Sequence, residues 1–279
     1  MSATTWSIGT VDSQGEDVYY ECAGSGPAVV FSHGLGGNHA VFFQQVPVFA
    51  RHYRVLTWDQ RGFGRSTNRR GEAGPDAAAT DLGTLLDHLG IDRAHLVGQS
   101  MGGWAVLGFA LRSPERVASL VITDSTAGAM TDRIAEIVTR GTRATLPEPI
   151  LGSHPAIGAG FSADEPVQTF LYQQIGSFRD PSVTDADMVG RLYSTRYPTE
   201  QIQALELPVL LVVGASDDLI PPAAVHELAG LITGARVVEI PGAGHSPYFE
   251  CPEAWNEAVL SFLSEVEARK GVRGDAEGR

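Results

Sequence analysis

The residues best suited to chemistry are centred on Ser100, in the pentapeptide Gly98-Gln99-Ser100-Met101-Gly102. An apolar run, residues 94–97, precedes it, and a helical stretch, residues 104–111, follows it. Gly-x-Ser-x-Gly between a strand and a helix predicts a sharp turn that exposes the serine hydroxyl as a nucleophile. Chance supplies such a pentapeptide about a quarter of the time in a chain with 32 glycines, so other residues must support the assignment.

A serine nucleophile needs a base, and His245 is the best candidate. It lies in Pro241-Gly242-Ala243-Gly244-His245, directly after the apolar run at 236–240. If both runs are parallel strands, this turn and the Ser100 turn share the carboxyl edge of the sheet. His226 falls inside a predicted helix and His154 lies in a long insertion, so both are weaker candidates.

The base in turn needs an acid, and Asp217 is the preferred residue. It follows the apolar run at 209–213, in a turn with Gly-x-x-Asp-x-x-x-Pro spacing. A carboxylate there can accept the Nδ1–H of His245 and keep the other ring nitrogen basic. Two alternatives stay open: Asp218, which also suits the start of the following helix, and Asp124, at the end of the preceding strand.

The oxyanion of an acyl-transfer intermediate needs hydrogen-bond donors. The glycine-rich turn His33-Gly34-Leu35-Gly36-Gly37 follows the run at 28–32, at the same predicted edge as Ser100. We expect the backbone N–H groups of Leu35 and Met101 to serve as the two donors. The turn lacks the glycine spacings of nucleotide-binding loops, so nucleotide binding is not indicated.

Seven apolar runs of strand length recur along the chain, and helix-length segments separate most of them. Runs such as residues 209–213 are continuously apolar, as strands covered on both faces of a sheet should be. The alternation predicts an α/β fold with a mostly parallel central sheet flanked by helices. The predicted strands are 18–22, 28–32, 54–58, 94–98, 117–123, 209–213 and 236–240. The predicted core helices are 39–51, 76–89, 101–111, 223–231 and 252–267.

One connection, residues 125–207, is far longer than a strand–helix loop needs. Its patterns are helical over 130–146, 165–178 and 185–193, and prolines separate them. We expect a helical cap, inserted between two late strands, over the edge where open α/β sheets bind ligands. The predicted division is a core of residues 1–124 and 208–268, a cap of 125–207 and a disordered, charged tail of 269–279.

Composition excludes several classes of protein. The net charge of −13 and the lack of a basic cluster argue against nucleic acid or an anionic membrane as a partner. Cys22 and Cys251 are too few for a disulfide framework, and no metal-ligand spacing occurs, so we expect neither metal nor cofactor. No leader or apolar span is evident, so the cytoplasm is the expected location. The sequence does not indicate an oligomeric state.

Five motifs in this order resemble the α/β-hydrolase fold family, over about residues 18–263. The resemblance implies that Ser100, His245 and Asp217 form a catalytic triad acting on a small molecule. It also implies that Asp59 and Arg61 have a structural role. The motifs are His33-Gly34-Leu35-Gly36-Gly37, Asp59-Gln60-Arg61-Gly62-Phe63-Gly64-Arg65-Ser66, Gly98-Gln99-Ser100-Met101-Gly102-Gly103, residues 214–222 and Gly244-His245-Ser246.

Within the family, the resemblance favours a serine hydrolase of an ester, lactone or related carbonyl compound. Serine at the turn argues against dehalogenases and epoxide hydrolases, which place aspartate there. Carbon–carbon bond hydrolases use the same triad and remain an alternative. Cofactor-free haloperoxidases and perhydrolases also remain, although they usually carry Trp-Pro where Leu35-Gly36 stands. A ligand receptor with slow or incidental turnover is a further alternative, and so is an acyltransferase.

The cap should determine which of these substrates binds. Arg191 and Arg196 could clamp an anionic substrate, although solvated arginines are the simpler interpretation. Aromatic residues of the cap suit a pocket for an apolar acyl or aryl group, and ordinary packing explains each of them equally well. These candidate substrate-lining residues are Phe161, Phe170, Tyr172, Phe178 and Tyr193, together with Tyr197.

Overall fold

The computed structural model describes residues 5–141 and 150–277. Its eight strands form one sheet in the order β1-β2-β4-β3-β5-β6-β7-β8. In this order, every strand from β4 to β8 is parallel to its neighbours in that range. Strand β2 pairs antiparallel with both β1 and β4. The predicted mostly parallel sheet is confirmed. The strands are β1 Trp6–Ser13, β2 Glu16–Ala23, β3 Ala28–Ser32, β4 Arg54–Trp58, β5 Ala94–Gln99, β6 Val117–Thr123, β7 Val209–Gly214 and β8 Arg236–Ile240.

Helices cover both faces of this sheet, because strand side chains alternate between the two faces. Along β3, Val30 packs in one apolar cluster with α2, α3 and α9, whereas Val29 and Phe31 pack in another with α1 and α11. The helices are α1 Val46–Phe49, α2 Pro75–His88, α3 Met101–Arg112, α4 Asp132–Gly141, α5 Ala159–Asp164, α6 Pro166–Gly176, α7 Asp185–Ser194, α8 Thr199–Gln203, α9 Pro222–Leu231, α10 Pro247–Glu250 and α11 Pro252–Glu277. No helix in the described ranges is both long and apolar enough to cross a membrane.

The segment between β6 and β7, here called the β6–β7 segment (residues 125–207), contains helices α4 to α8 in its described part. Hydrogen bonds join it to the β3–α1 connection and to α3, both at the carboxyl edge of the sheet. Asn38 Nδ2 donates to the carbonyl of Ile175, and Trp104 Nε1 donates to that of Thr195. The segment therefore lies against the elements that carry the candidate site.

The structure differs from the sequence-based expectation at several elements. Strand β1 was not predicted, because it is an edge strand whose Trp6 and Ile8 are 66% and 54% exposed. The helix predicted over 39–51 is instead a 3-10 helix, His39–Phe42, followed by the short α1. Asn38 caps the first piece by accepting the N–H of Ala40, and a proline opens the second.

Other differences concern helix ends. The helix predicted over 130–146 is α4, which covers Asp132–Gly141, and positions 142–146 lie outside the described residues. Helix α11 extends ten residues beyond its predicted end at 267, to Glu277. Residues 269–277, whose composition predicts disorder, thus continue the helix. Arg269 lies 3.9 Å from Glu265 one turn earlier, a pairing that supports a helix at this point.

A buried ion pair anchors the loop between β4 and α2. Arg61 donates two hydrogen bonds of 2.8 Å to the two carboxylate oxygens of Asp81, and both residues are almost completely buried. Asp59 accepts the backbone N–H groups of His39 and Arg65. Asp59 and Arg61, the two charged residues of the Asp-x-Arg motif, therefore both form hydrogen bonds that hold neighbouring parts of the chain together.

We expect Arg61→Ala to lower the free energy of unfolding by about 3–5 kcal/mol, because it leaves Asp81 buried without its cation. Denaturant unfolding monitored by circular dichroism measures the change. Arg112→Ala is the matched control, since Arg112 pairs with Asp76 on the surface and such pairs contribute about 0–1 kcal/mol. Equal losses in the two variants would contradict a structural role for the buried pair.

Candidate active site

Ser100 occupies a strained turn between β5 and α3. Its φ of +48° lies in the left-handed region, which side chains other than glycine rarely adopt. A Cβ at Gly98 would lie 2.4 Å from the carbonyl oxygen of Gly102. A Cβ at Gly102 would lie 2.1 Å from the carbonyl oxygen of Ser32. Both glycines of the pentapeptide are therefore required for α3 to approach the ends of β3 and β5.

Ser100, His245 and Asp217 form one chain of hydrogen bonds. His245 Nε2 lies 2.9 Å from Ser100 Oγ, and His245 Nδ1 lies 2.8 Å from Asp217 Oδ2. A carboxylate only accepts, so Nδ1 carries the hydrogen and Nε2 is free to accept the serine proton. Ser100 is partly accessible, whereas the other two side chains are buried.

Asp217 is held in place by its own loop. Its Oδ1 accepts the backbone N–H groups of Leu219 at 2.8 Å and Ile220 at 2.9 Å, which leaves Oδ2 to face His245. Asp218 is exposed to solvent next to it. Of the two adjacent aspartates, the structure therefore brings Asp217, and not Asp218, to the histidine.

Asp124 lies beside this chain without being part of it. It is completely buried at the end of β6 with a φ of +48°, and its Oδ1 accepts the N–H of Gly214 at 2.8 Å. Burial, followed by the nearby charge of Asp217, raises the pKa of Asp124 well above its usual range. Oxygen and nitrogen atoms of Asp124, Asp217 and His245 lie within 4.8 Å of one another. The hydrogen bonds of His245 to Ser100 and Asp217 already occupy both ring nitrogens that a metal would need.

Two backbone N–H groups near Ser100 have no acceptor among the described residues, namely those of Leu35 and Met101. Met101 is the first residue of α3, where N–H groups have no partner within the helix. The Leu35 turn packs against Ser100, since a Cβ on Gly34 would lie 3.1 Å from Ser100 Cβ. Both N–H groups are therefore without an acceptor in the described part of the chain, and their role as donors to an oxyanion stays a prediction.

Glu250 secures the loop that carries His245, and sequence reasoning missed it. Its Oε2 accepts the N–H groups of Gly244 at 2.8 Å and Gly158 at 3.0 Å, and its Oε1 accepts that of Ser246 at 3.0 Å. Burial raises the pKa of Glu250, and these three N–H groups oppose that shift. The carboxylate thus joins the histidine loop to the β6–β7 segment. Its apolar neighbours, Pro247 to Phe249, were the signal that this glutamate would be buried.

A second missed residue is Gln99, the neighbour of Ser100. Its side-chain amide donates to the carbonyl of His245 at 3.0 Å. The link ties the residue before Ser100 to the backbone of His245. Position 99 lies inside the pentapeptide, yet the Gly-x-Ser-x-Gly pattern leaves it unspecified, so its role depends on the tertiary structure.

The structure disperses the predicted substrate-lining residues. Tyr172 is buried, and its hydroxyl lies 3.1 Å from Ser246 Oγ, next to His245. Phe161 is partly buried against Phe249. Phe170 and Phe178 are 41% and 67% exposed. Tyr193 packs against the apolar cluster of α2 and α3, and Tyr197 donates to the carbonyl of Trp104.

The proposed cationic clamp is not assembled. Arg191 donates to the carbonyls of Gly71 and Ala73, so its guanidinium joins α7 to the β4–α2 loop. Arg196 is exposed and lines a surface cavity with Asp76 and Arg112, which none of the three hydrogen-bonded site residues lines. The simpler interpretation therefore applies to both residues: Arg191 is structural and Arg196 is solvated.

Residues 27–252 match the family model described as alpha/beta hydrolase fold. The chain therefore belongs to the alpha/beta hydrolase fold family.

Two named relatives and one solved structure are similar to the chain over most of its length. The chain is 30% identical over 269 residues to a protein of Caulobacter sp. strain K31 provisionally named carbamate hydrolase RutD, covering 92% of this chain and 97% of that one. It is 31% identical over 272 residues to a Mycobacterium tuberculosis protein provisionally named non-heme bromoperoxidase BpoC, with coverages of 89% and 98%. A solved thermophilic esterase from Thermogutta terrifontis superimposes with a TM-score of 0.78 at 28% identity, covering 95% and 99%.

We expect Glu250→Ala to lower kcat/KM at least tenfold and the free energy of unfolding by about 3 kcal/mol. The reason is that three buried N–H groups lose their acceptor and the histidine loop loosens. Turnover of an ester and denaturant unfolding measure the two effects. The exposed Glu253→Ala, three residues later, is the matched control. Stability lost without any loss of turnover would show that Glu250 does not position His245.

Proposed function

We propose that the protein is a serine hydrolase that cleaves an ester, lactone or related carbonyl substrate through an acyl-enzyme. The observation that carries this proposal is the chain from Ser100 through His245 to Asp217, with two unpaired backbone N–H groups beside the serine. These are the parts that acyl transfer requires: a nucleophile, a base, a group that orients the base, and donors for an oxyanion.

In the first half of the reaction, Ser100 Oγ attacks the substrate carbonyl carbon as His245 Nε2 removes its proton. Asp217 holds the ring in the correct tautomer and stabilises the imidazolium that forms. The carbonyl oxygen becomes an oxyanion, which accepts the N–H groups of Leu35 and Met101. Each such donor typically contributes on the order of 3 kcal/mol to the stability of the transition state.

Collapse of this intermediate breaks the bond to the leaving group, which takes the proton from His245. Water then attacks the acyl-enzyme, with His245 as its base, and releases the acid and Ser100. Every proton passes through His245 Nε2, so no step calls on a metal or a cofactor. The burial of Asp217 and His245 strengthens the interaction between them, because little water screens it.

The substrate class is a small molecule with an activated carbonyl group. The relative with a carbamate hydrolase name and the esterase of similar structure both support hydrolysis of such a carbonyl. The bromoperoxidase name of another relative keeps that activity as an outcome to test, although Leu35-Gly36 departs from the Trp-Pro of that group. We propose that the β6–β7 segment acts as a cap that selects the substrate, since Gly158 and Tyr172 contact the histidine loop.

We expect Ser100→Ala to lower hydrolysis by several orders of magnitude and to abolish covalent labelling by a fluorophosphonate probe. The variant removes only the hydroxyl, so the protein should stay folded. Mass spectrometry of the labelled protein measures the adduct, and Ser261→Ala, on the exposed side of α11, is the matched control. Turnover near the original level in Ser100→Ala would rule out the nucleophile, and labelling without turnover of any substrate would favour a ligand receptor.

A substrate panel then separates the chemistries that share this site. We expect p-nitrophenyl esters, lactones and aryl carbamates to be turned over, because each places a carbonyl next to a competent leaving group. Vinylogous diketones test carbon–carbon cleavage, and halide with peroxide and an organic acid tests the peroxidase alternative. Release of p-nitrophenol and chromatography of the products are the measurements. Turnover of diketones alone would replace the ester assignment with carbon–carbon hydrolysis.

A further inference from the structure

One buried acid of the site has no place in this mechanism. Asp124 is fully buried, and its Oδ1 accepts one hydrogen bond, from the N–H of Gly214. Its Oδ2 is buried and has no hydrogen-bond partner in the part of the chain that the structure describes. A carboxylate in that position would be charged, desolvated and half unsatisfied, which is costly.

The surroundings of Asp124 make its charge still less favourable. Asp217, on the β7–α9 loop, and Glu250, on α10, are the acids that face it. The hydroxyls of Tyr172 and Tyr248 lie in the same buried cluster, and neither carries positive charge. Two histidines lie in or beside this cluster: His245 already pairs with Asp217, and His154 packs on Tyr172, where burial lowers the pKa of its imidazole to about 4. The carboxyl of Asp124 therefore lies within 4.8 Å of both Asp217 and His245 with no cation of its own.

We propose that Asp124 is a positioning residue that keeps its proton beside Asp217 and acts as a reserve acid for His245. Its neutral form leaves a single negative charge behind the imidazole. If the charge of Asp217 is removed, Asp124 loses the repulsion that adds to burial in keeping it protonated, and it then ionises beside the imidazolium and supports it in place of Asp217. This inference rests on the proposed serine hydrolase function.

The alternative is that Asp124 only joins the ends of β6 and β7. Its side chain accepts the N–H of Gly214, and its backbone N–H donates to Val212 at 2.9 Å. An asparagine at 124 keeps both bonds, because its amide oxygen still accepts, but it cannot ionise. The conservative variant therefore separates a role in charge from a role in structure.

The test is a double-mutant cycle of D124N and D217N, read as kcat/KM for a p-nitrophenyl ester across pH. Loss of the acid from a triad alone typically lowers turnover about 10⁴-fold. We expect D217N to lose only about 10²- to 10³-fold, and D124N less than tenfold. The double variant should fall at least tenfold below the product of the two single losses. Asp218→Asn, the exposed neighbour, is the matched control.

The pH profile gives a readout that a structural role would not move. Every variant should gain activity as pH rises, because His245 must be neutral to accept the serine proton. Because removal of the charge at 217 lowers the pKa of Asp124, D217N should show a further rise as Asp124 ionises, and the double variant should lack this further rise. Additive losses and parallel pH profiles would overturn the proposal.

A second measurement keeps the proposal falsifiable if the double variant does not fold. A neutral Asp124 gives an infrared band of a protonated carboxyl at neutral pH, and D124N should remove that band. Its presence in both proteins, or its absence from both, would overturn the proposal. Activity that survives Ser100→Ala would instead defeat the serine hydrolase function itself, so the two failures are distinguishable.

Discussion

The close approach of α3 to the ends of β3 and β5 is the constraint on which the candidate site depends. A side chain at Gly98 or Gly102 would overlap a backbone carbonyl, so the chain can make this turn only with glycine at both positions. The turn gives Ser100 its left-handed conformation and frees the N–H of Met101. It also brings the Leu35 turn into contact with the serine. The other parts of the site are therefore arranged around one backbone contact.

The buried acids around His245 differ in how many backbone N–H groups they accept. Glu250 accepts three N–H groups, and Asp217 accepts two as well as the histidine. Asp124 accepts one N–H, and its second oxygen has no partner among the described residues. Hydrogen bonds from N–H groups favour the charged form of a carboxyl group, so the short supply at Asp124 is the basis of its proposed neutral state.

The sequence predicts the parallel sheet well and its margins poorly. Strands β3, β6 and β7 are buried throughout and largely apolar because helices cover both faces, and that pattern is readable without a structure. Strand β1 lies at the edge, half exposed, and has no comparable signal. Ser100, His245 and Asp217 follow strands and could be placed from spacing. The partners of Asp124 and Glu250 come from loops distant in sequence, so only the tertiary structure reveals them. The exposed Phe178 shows the same limit for the pocket, because composition cannot tell which way a side chain points.

Glu250 couples two parts of the chain that are distant in sequence. Its Oε2 accepts the N–H groups of Gly158 in the β6–β7 segment and of Gly244 in the histidine loop at the same time. Any displacement of this part of the segment therefore changes the hydrogen bonds that hold the loop of His245. The conformation of the β6–β7 segment and the position of the imidazole thus depend on one shared side chain.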